Sequence, residues 1–293
     1  NKAIIHVNIE ASEFNKALTT NYNVHGTCKD FLEAISKAMF RNFITKEFYE
    51  KHIPWLHRIK ELKDKYPFDL KNSSPFSKNE AYHMEEVINQ LYLKTLYKDV
   101  IFTTGVGNHQ MQSYQFIKAQ YPNKILSSGS LGVMGSGLPY AIGAQIANPE
   151  KMIINIDGDS SFNMTMSDMK TIVENDLPVK IAIMNNESQM MVTIWEKLYF
   201  NERYTATINE RNPDYIALAE SFGMKAMSCE GKDDLLVKIE EFIDHKGPIL
   251  CEFKIKKDIC LPLVGPGKAL DDMILPGEVT FDTIKIDGSE IPG

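Results

Sequence analysis

Asp159 lies in the run Ile154 to Phe162 (INIDGDSSF), and Asn185 and Asn186 end the run Ile181 to Asn186 (IAIMNN). In an open parallel sheet, ligands sit beyond the carboxyl ends of the strands, so a carboxylate and an amide that end two such runs would share one sheet edge. Oxygen ligands of these two kinds suit a hard cation, and Mg²⁺ takes one or two protein oxygens and fills its octahedron with phosphate and water. A third stretch, Ser127 to Gly137 (SSGSLGVMGSG), has glycines that let backbone N–H groups approach a phosphate ahead of a helix expected from about Leu138. A Mg²⁺-bound diphosphate is the ligand that this set would take.

Each stretch also has an ordinary reading. Gly-Asp after a strand is a common turn, Asn-Asn is a common loop pair, and a run of small residues serves close helix packing. Their order along the chain makes the set more specific than its parts.

The elements that must position these residues are legible as alternating helical and apolar runs. Val100–Phe102, Met152–Ile156, Val179–Met184 and Ile249–Phe253 read as strands, with helical patterns such as Asn79–Lys94 between them. Short apolar strands separated by helices indicate an α/β fold built on a doubly wound, buried parallel sheet. Ahead of it, residues 1–41 read as strand, turn, strand and helix, with Thr27 as N-cap, and form the tail of a second α/β domain. Residues 42–78 read as a helical linker, broken at Pro67 and by Lys71–Pro75; residues 79–255 hold the sheet; residues 256–293 form a tail or lid. Thr165 is the expected cap of the helix after Ser160. The chain enters almost directly on the strand-like run Ala3–Ile9, which suggests a start inside a domain.

Composition sets outer bounds. The 293 residues, 43% hydrophobic, can bury one sizeable core or one core and part of another. A net charge of −7 with no long basic block offers no electrostatic footprint for nucleic acid or an anionic membrane. No apolar run approaches the ~20 residues of a membrane span. The four cysteines show no C-x-x-C pair and read as reduced thiols of a cytosol-like compartment. The expected location is the cytoplasm, or a mitochondrion or plastid where a transit segment has been removed.

Asp159 followed 27 positions later by Asn186 resembles the Mg²⁺-diphosphate signature of thiamine-diphosphate enzymes. The flanking stretches narrow the family: Thr103–Met111 (TTGVGNHQM), Leu131–Pro139 (LGVMGSGLP), Gly158–Thr165 (GDSSFNMT), Leu177–Lys180 (LPVK) and Gln189–Trp195 (QMMVTIW) together look like the catalytic subunit of acetohydroxyacid (acetolactate) synthase, in its C-terminal part. The likeness runs from about Phe76 to Ile274, with a weaker match over residues 3–40. It implies a carboligase of branched-chain amino acid biosynthesis that decarboxylates pyruvate on thiamine diphosphate and transfers the two-carbon unit to a second 2-keto acid. It further implies a homodimer or homotetramer, and a regulatory subunit as partner.

Carried over position by position, the resemblance implies that Asp159, Asn186 and the main-chain carbonyl of Ser188 hold Mg²⁺. Gly158, Ser160 and Ser161 would share the phosphate loop, Asn108 and His109 would meet the diphosphate, and Gly132 and Val133 the pyrimidine. Met134 matches the apolar residue that bends the cofactor. Met191, Val192 and Trp195 match residues beside the thiazolium and the acceptor pocket, and Met134, Met191 and Trp195 are the residues nearest the chemistry.

Several positions depart from the family. Met190 stands where it has Gly and Ile194 where it has Gln, so an altered active-site mouth is expected. Asn108 replaces Gln, and Asn8 and Thr27 replace acidic residues that contact flavin adenine dinucleotide, so stoichiometric flavin is not expected. The Glu that activates the pyrimidine ring belongs to an N-terminal domain matched by nothing in these residues, so this stretch alone is expected not to turn over. Two other readings stay open: a sister thiamine-diphosphate decarboxylase or carboligase with another 2-keto acid, and a non-catalytic cofactor-binding fragment.

Overall fold

The computed structural model describes residues 3–42, 45–66, 81–231, 233–275 and 280–284. The expected breaks at Pro67 and Lys71–Pro75 lie outside the described residues. The chain forms two compact units, divided between Pro67 and Phe68.

In the first unit, β1 (Ile5–Asn8) and β2 (Tyr22–His25) pair in parallel, followed by α1 (Cys28–Asn42) and α2 (Lys46–Lys65). Thr27 caps α1 as its sequence position suggests: its Oγ1 accepts from the Asp30 backbone N–H at 3.1 Å. Thr45 caps α2 in the same way through Phe48 N, at 3.1 Å. None of the described residues of this unit is buried, since two strands and two helices offer too little surface to enclose a core.

The second unit is built on six parallel strands: β3 (Val100–Thr104), β4 (Ile125–Ser127), β5 (Met152–Gly158), β6 (Lys180–Asn185), β7 (Lys225–Cys229) and β8 (Ile249–Lys254), in the spatial order β4-β3-β5-β6-β8-β7. Successive residues of a strand face opposite sides, and both sides are buried. Ile154, Ile156 and Met184 pack with α3 (Met84–Lys94) and α10 (Leu235–Asp244). Ile153, Ile181 and Ile183 pack with α5 (Gly137–Ala147), α7 (Met169–Glu174) and α9 (Tyr215–Ser221). The expected doubly wound sheet is therefore present. Its edge strands β4 and β7 were not anticipated, because exposure on one side leaves them short or mixed in polarity and without the apolar run of a strand buried twice over.

The chain leaves β3 for β4 on one side and returns to β5 on the other, so the crevice between the ends of β3 and β5 is the topological switch point. Two short helices sit there, α4 (Asn108–Phe116) directly after β3 and α6 (Asp159–Phe162) directly after β5. The helix at Asp159 thus begins on that residue itself. Thr165 takes the expected N-cap position one turn later, before the 3-10 turn Met166–Asp168 that leads into α7, but its side chain makes no capping hydrogen bond; its hydroxyl donates instead to the Gly135 carbonyl at 2.7 Å.

Beyond β8 the tail is tied down. Lys256 N donates to Tyr82 O at 2.8 Å, His83 Nδ1 lies 2.7 Å from Asp258 Oδ2, and Gln115 Nε2 donates to Leu261 O at 2.9 Å. It then forms the small antiparallel pair β9 (Leu263–Val264) and β10 (Met273–Ile274) over α8 (Met190–Tyr199). No helix among the described residues is long and apolar enough to cross a membrane.

Candidate cofactor site

Loops from the carboxyl ends of four adjacent strands converge on a cavity of about 240 Å³. The loop after β3 contributes Val106 to His109, that after β4 Gly132 and Met134, that after β5 Gly158 to Ser161, and that after β6 Asn186 and Ser188 to Val192. Of the residues singled out in the sequence, Asn108, His109, Gly132, Met134, Gly158, Asp159, Ser160, Ser161, Asn186, Ser188, Met191 and Val192 all line it. Val133 and Trp195 do not: Val133 is half exposed, and Trp195 is 47% exposed and stacks on Tyr199 with ring centroids 4.9 Å apart. Ile194, expected at the mouth, is buried with Leu198, Ile259 and Ile284 beneath the tail.

Asp159 is 1% exposed. Its Oδ2 accepts from Asn209 Nδ2 and from Asn212 Nδ2, each at 2.8 Å. Burial pushes its carboxyl pKa up, and those two hydrogen bonds pull against that shift. Asn186 and Ser188 are also buried. The turn that carries them is fixed by the segment 207–209: Gln189 N donates to Thr207 O and Asn209 N to Glu187 O, both at 2.8 Å. Neither bond uses the Ser188 carbonyl. Ser188 Oγ meets Thr193 Oγ1 at 2.7 Å.

Three helices, α4, α6 and α8, begin at the cavity wall, with Asn108, Asp159 and Met190 as their first residues. The positive ends of the α4 and α8 dipoles and the first N–H groups of these helices lie there, an arrangement that favours an anion. The hydroxyls of the phosphate loop have partners already. Ser161 Oγ accepts from Gly135 N at 2.9 Å and so pins the glycine-rich loop against α6. Ser160 Oγ accepts from Asn209. Asn108 turns its amide away and donates to the Asp258 carbonyl at 3.1 Å, anchoring the tail.

His109 is buried, and its Nε2 lies 3.3 Å from Asp157 Oδ1. That approach is an ion-pair distance without hydrogen-bond geometry, and Nε2 and Asp157 Oδ2 are both buried without a hydrogen-bond partner. The backbone is shaped around this pair. A Cβ at Gly158 would lie 2.8 Å from His109 Nδ1, and one at Gly137 would lie 2.6 Å from Asp157 Oδ2. Glycine at both positions is what lets ring, carboxylate and main chain share the space.

Sequence reasoning passed over Asp157, Asn209 and Asn212. Asp157 had a readable signal, since strand alternation places it on the side of Ile153 and Asn155 at the strand's carboxyl end. Asn209 and Asn212 sit in an irregular loop between α8 and α9, where no periodicity marks them.

The chemistry of the lining fits a magnesium diphosphate joined to an aromatic body. A buried carboxylate and an amide stand beside three helix N-termini, while Met84, Met134, Met184, Met190 and Met191 offer apolar, polarisable walls. A doubly wound sheet carrying such a cavity at its switch point defines a binder of a phosphorylated cofactor. Comparison with known proteins gives the family: residues 105–253 match the thiamine pyrophosphate enzyme, C-terminal TPP binding domain. The chain belongs to this family of thiamine pyrophosphate enzymes. It is 39% identical over 272 residues to the acetolactate synthase catalytic subunit, mitochondrial, of Saccharomyces cerevisiae, covering 92% of this chain and 38% of that protein. It is 38% identical to the acetolactate synthase, mitochondrial, of Schizosaccharomyces pombe, covering 93% of this chain and 40% of that protein. With the acetolactate synthase large subunit of Porphyra purpurea it shares 36% identity, over 94% of this chain and 45% of that protein. The chain thus spans about two fifths of the length of the curated relatives it matches.

Proposed function

We propose that the protein carrying this chain is an acetolactate synthase that uses thiamine diphosphate held through Mg²⁺. The observation that carries the reading is the placement of Asp159 and Asn186 at the ends of adjacent strands, in one cavity with the N-termini of α4, α6 and α8. The similarity to the three synthases supports it.

When bound, thiamine diphosphate would supply a carbon nucleophile for a 2-keto acid and a cationic ring as the sink for the electron pair left by CO₂. This chain's residues grip and orient. The Asp159 carboxylate, the Asn186 side-chain oxygen and the Ser188 carbonyl would hold the cation, which would serve as an anchor for the diphosphate. The N–H groups that open α4 and α6 neutralise the diphosphate. Met134, Met191 and Val192 would flank the rings, and Asp157 stands behind His109 at 3.3 Å. The carboxylate that activates the pyrimidine is assigned to a region outside these residues, reached across a dimer interface. The exposed apolar side chains Leu131, Val133, Val192 and Trp195, beside or on the cavity-lining segments, suit such a contact. The full assembly is a homodimer or homotetramer with room for a regulatory subunit, and purified protein carries no stoichiometric flavin.

Met190 favours one second reading. It is 3% exposed and fills cavity wall, so the acceptor or donor is a different 2-keto acid. The test is a colorimetric acetoin assay on the full-length protein with pyruvate, thiamine diphosphate and Mg²⁺. Acetolactate as main product supports the synthase; acetaldehyde, or turnover confined to another 2-keto acid, replaces it with the second reading.

A further inference from the structure

Asn212 is placed where it touches the ends of two strands at once. Its Nδ2 donates to Asp159 Oδ2 at 2.8 Å, just past β5, and to Asn185 Oδ1 at 3.1 Å, the last residue of β6. Its own Oδ1 accepts from Asn163 Nδ2 at 3.1 Å, and Asn163 in turn accepts from the Tyr215 hydroxyl at 3.0 Å. Both amide hydrogens and the oxygen of Asn212 are therefore engaged, which fixes the orientation of its side chain. Asn185 is held from its other side, donating through Nδ2 to Glu252 Oε1 at 2.6 Å.

Asn209 adds a second hold on the same oxygen of Asp159. Both amides therefore land on Oδ2 and leave Oδ1 outside those hydrogen bonds. A carboxylate gripped this way cannot swing to another rotamer without breaking two hydrogen bonds. The loop that supplies both amides also pins the turn bearing Asn186 and Ser188, through the paired backbone bonds at Thr207 and Asn209.

We propose that Asn212, assisted by Asn209, is a positioning residue that sets the cation affinity of the site by locking Asp159 to the end of β6. The inference rests on the magnesium reading above and names the residues that give the site its geometry. Partners that orient metal ligands from behind commonly change metal affinity ten- to a hundredfold when removed, because they hold the ligand in place before the ion arrives.

The test uses the full chain and three readings. Calorimetry follows thiamine diphosphate binding at graded Mg²⁺, electron paramagnetic resonance follows bound Mn²⁺, and thermal unfolding follows the unliganded protein. Asn212→Leu keeps bulk and removes both donors. The expected result is a rise of about tenfold or more in the cation concentration for half-saturation, with little change in the unliganded midpoint or in thiamine diphosphate affinity at saturating cation. Asn209→Ala, which loses only the contacts to Asp159 and Ser160, should shift the same quantity by a smaller factor, and it decides the matter if Asn212→Leu does not fold. Unchanged half-saturation in a folded variant overturns the proposal. So does a fall in midpoint with equal loss of cofactor affinity at saturating cation, which marks a merely structural role. An unaltered chain whose cofactor binding ignores Mg²⁺ would instead remove the functional reading on which this one stands.

Discussion

His109 Nε2 and Asp157 Oδ1 lie 3.3 Å apart, both side chains buried. The imidazole lines the cavity, and the carboxylate behind it is fully buried, so this pair joins the sheet to the wall on which a diphosphate would rest. Asp157 Oδ1 also accepts from Gly158 N at 3.1 Å, so removing the carboxylate strips that N–H of its partner and the buried ring of its counter-charge, which costs about 1–3 kcal/mol. Asp157→Ala should therefore lower stability by that order and weaken cofactor binding as well, because the ring of His109 loses its support. Chemical unfolding together with calorimetry checks both, and a variant with wild-type stability would show the pair to be incidental.

Gly158→Ala tests how tightly the backbone is fitted to the same ring. The φ of Gly158, −86°, is open to any residue, so the obstacle is space alone: the added Cβ would lie 2.8 Å from His109 Nδ1. Overpacking of this kind costs about 1–3 kcal/mol. The variant should fold with a lowered thermal midpoint and bind cofactor more weakly, and unaltered behaviour in both would mean that His109 has room to move.

The pH dependence of the tail's attachment follows from His83. Its hydrogen bond to Asp258 raises the imidazole pKa; burial and the Lys256 charge oppose this, and the Asp258 and Glu86 charges add to it. With the folded value above the ordinary one of about 6.5, the contact contributes its full stabilisation below that pH. The contribution is lost as pH rises through the raised value. Hydrogen-exchange protection in residues 256–264, with the intrinsic pH dependence of exchange divided out, should fall across that window, and His83→Gln should remove the fall. Protection that stays flat with pH in the unaltered chain would contradict this.

Much of the fold was legible because the central strands are apolar on both sides. Ile153 to Ile156 and Ile181 to Met184 could be little else, and the polar residues that end them had to lie at the sheet's ligand-binding edge. Asp159 and Asn186 were singled out for that reason, and both line the cavity. The other half of the site was hidden because its logic is tertiary. Asn209 and Asn212 reach Asp159 from 50 and 53 positions away through a loop with no period. Likewise, Asn108, expected to meet the diphosphate, lines the cavity, and its hold on the Asp258 carbonyl, 150 positions on, had no signal in the sequence. Trp195 and Ile194 follow the same rule in reverse. One turn of α8 places Met191 and Val192 on the cavity, and continuing the helix carries the next residues to the surface and under the tail.

The central claim is that the second unit binds thiamine diphosphate through a cation held by Asp159. Calorimetric titration of the full chain with thiamine diphosphate, with Mg²⁺ and with Mg²⁺ removed by chelator, tests it most directly. Saturable binding that requires Mg²⁺ and disappears in Asp159→Ala is the predicted result. Binding of equal strength without Mg²⁺, or undiminished in Asp159→Ala, would contradict it.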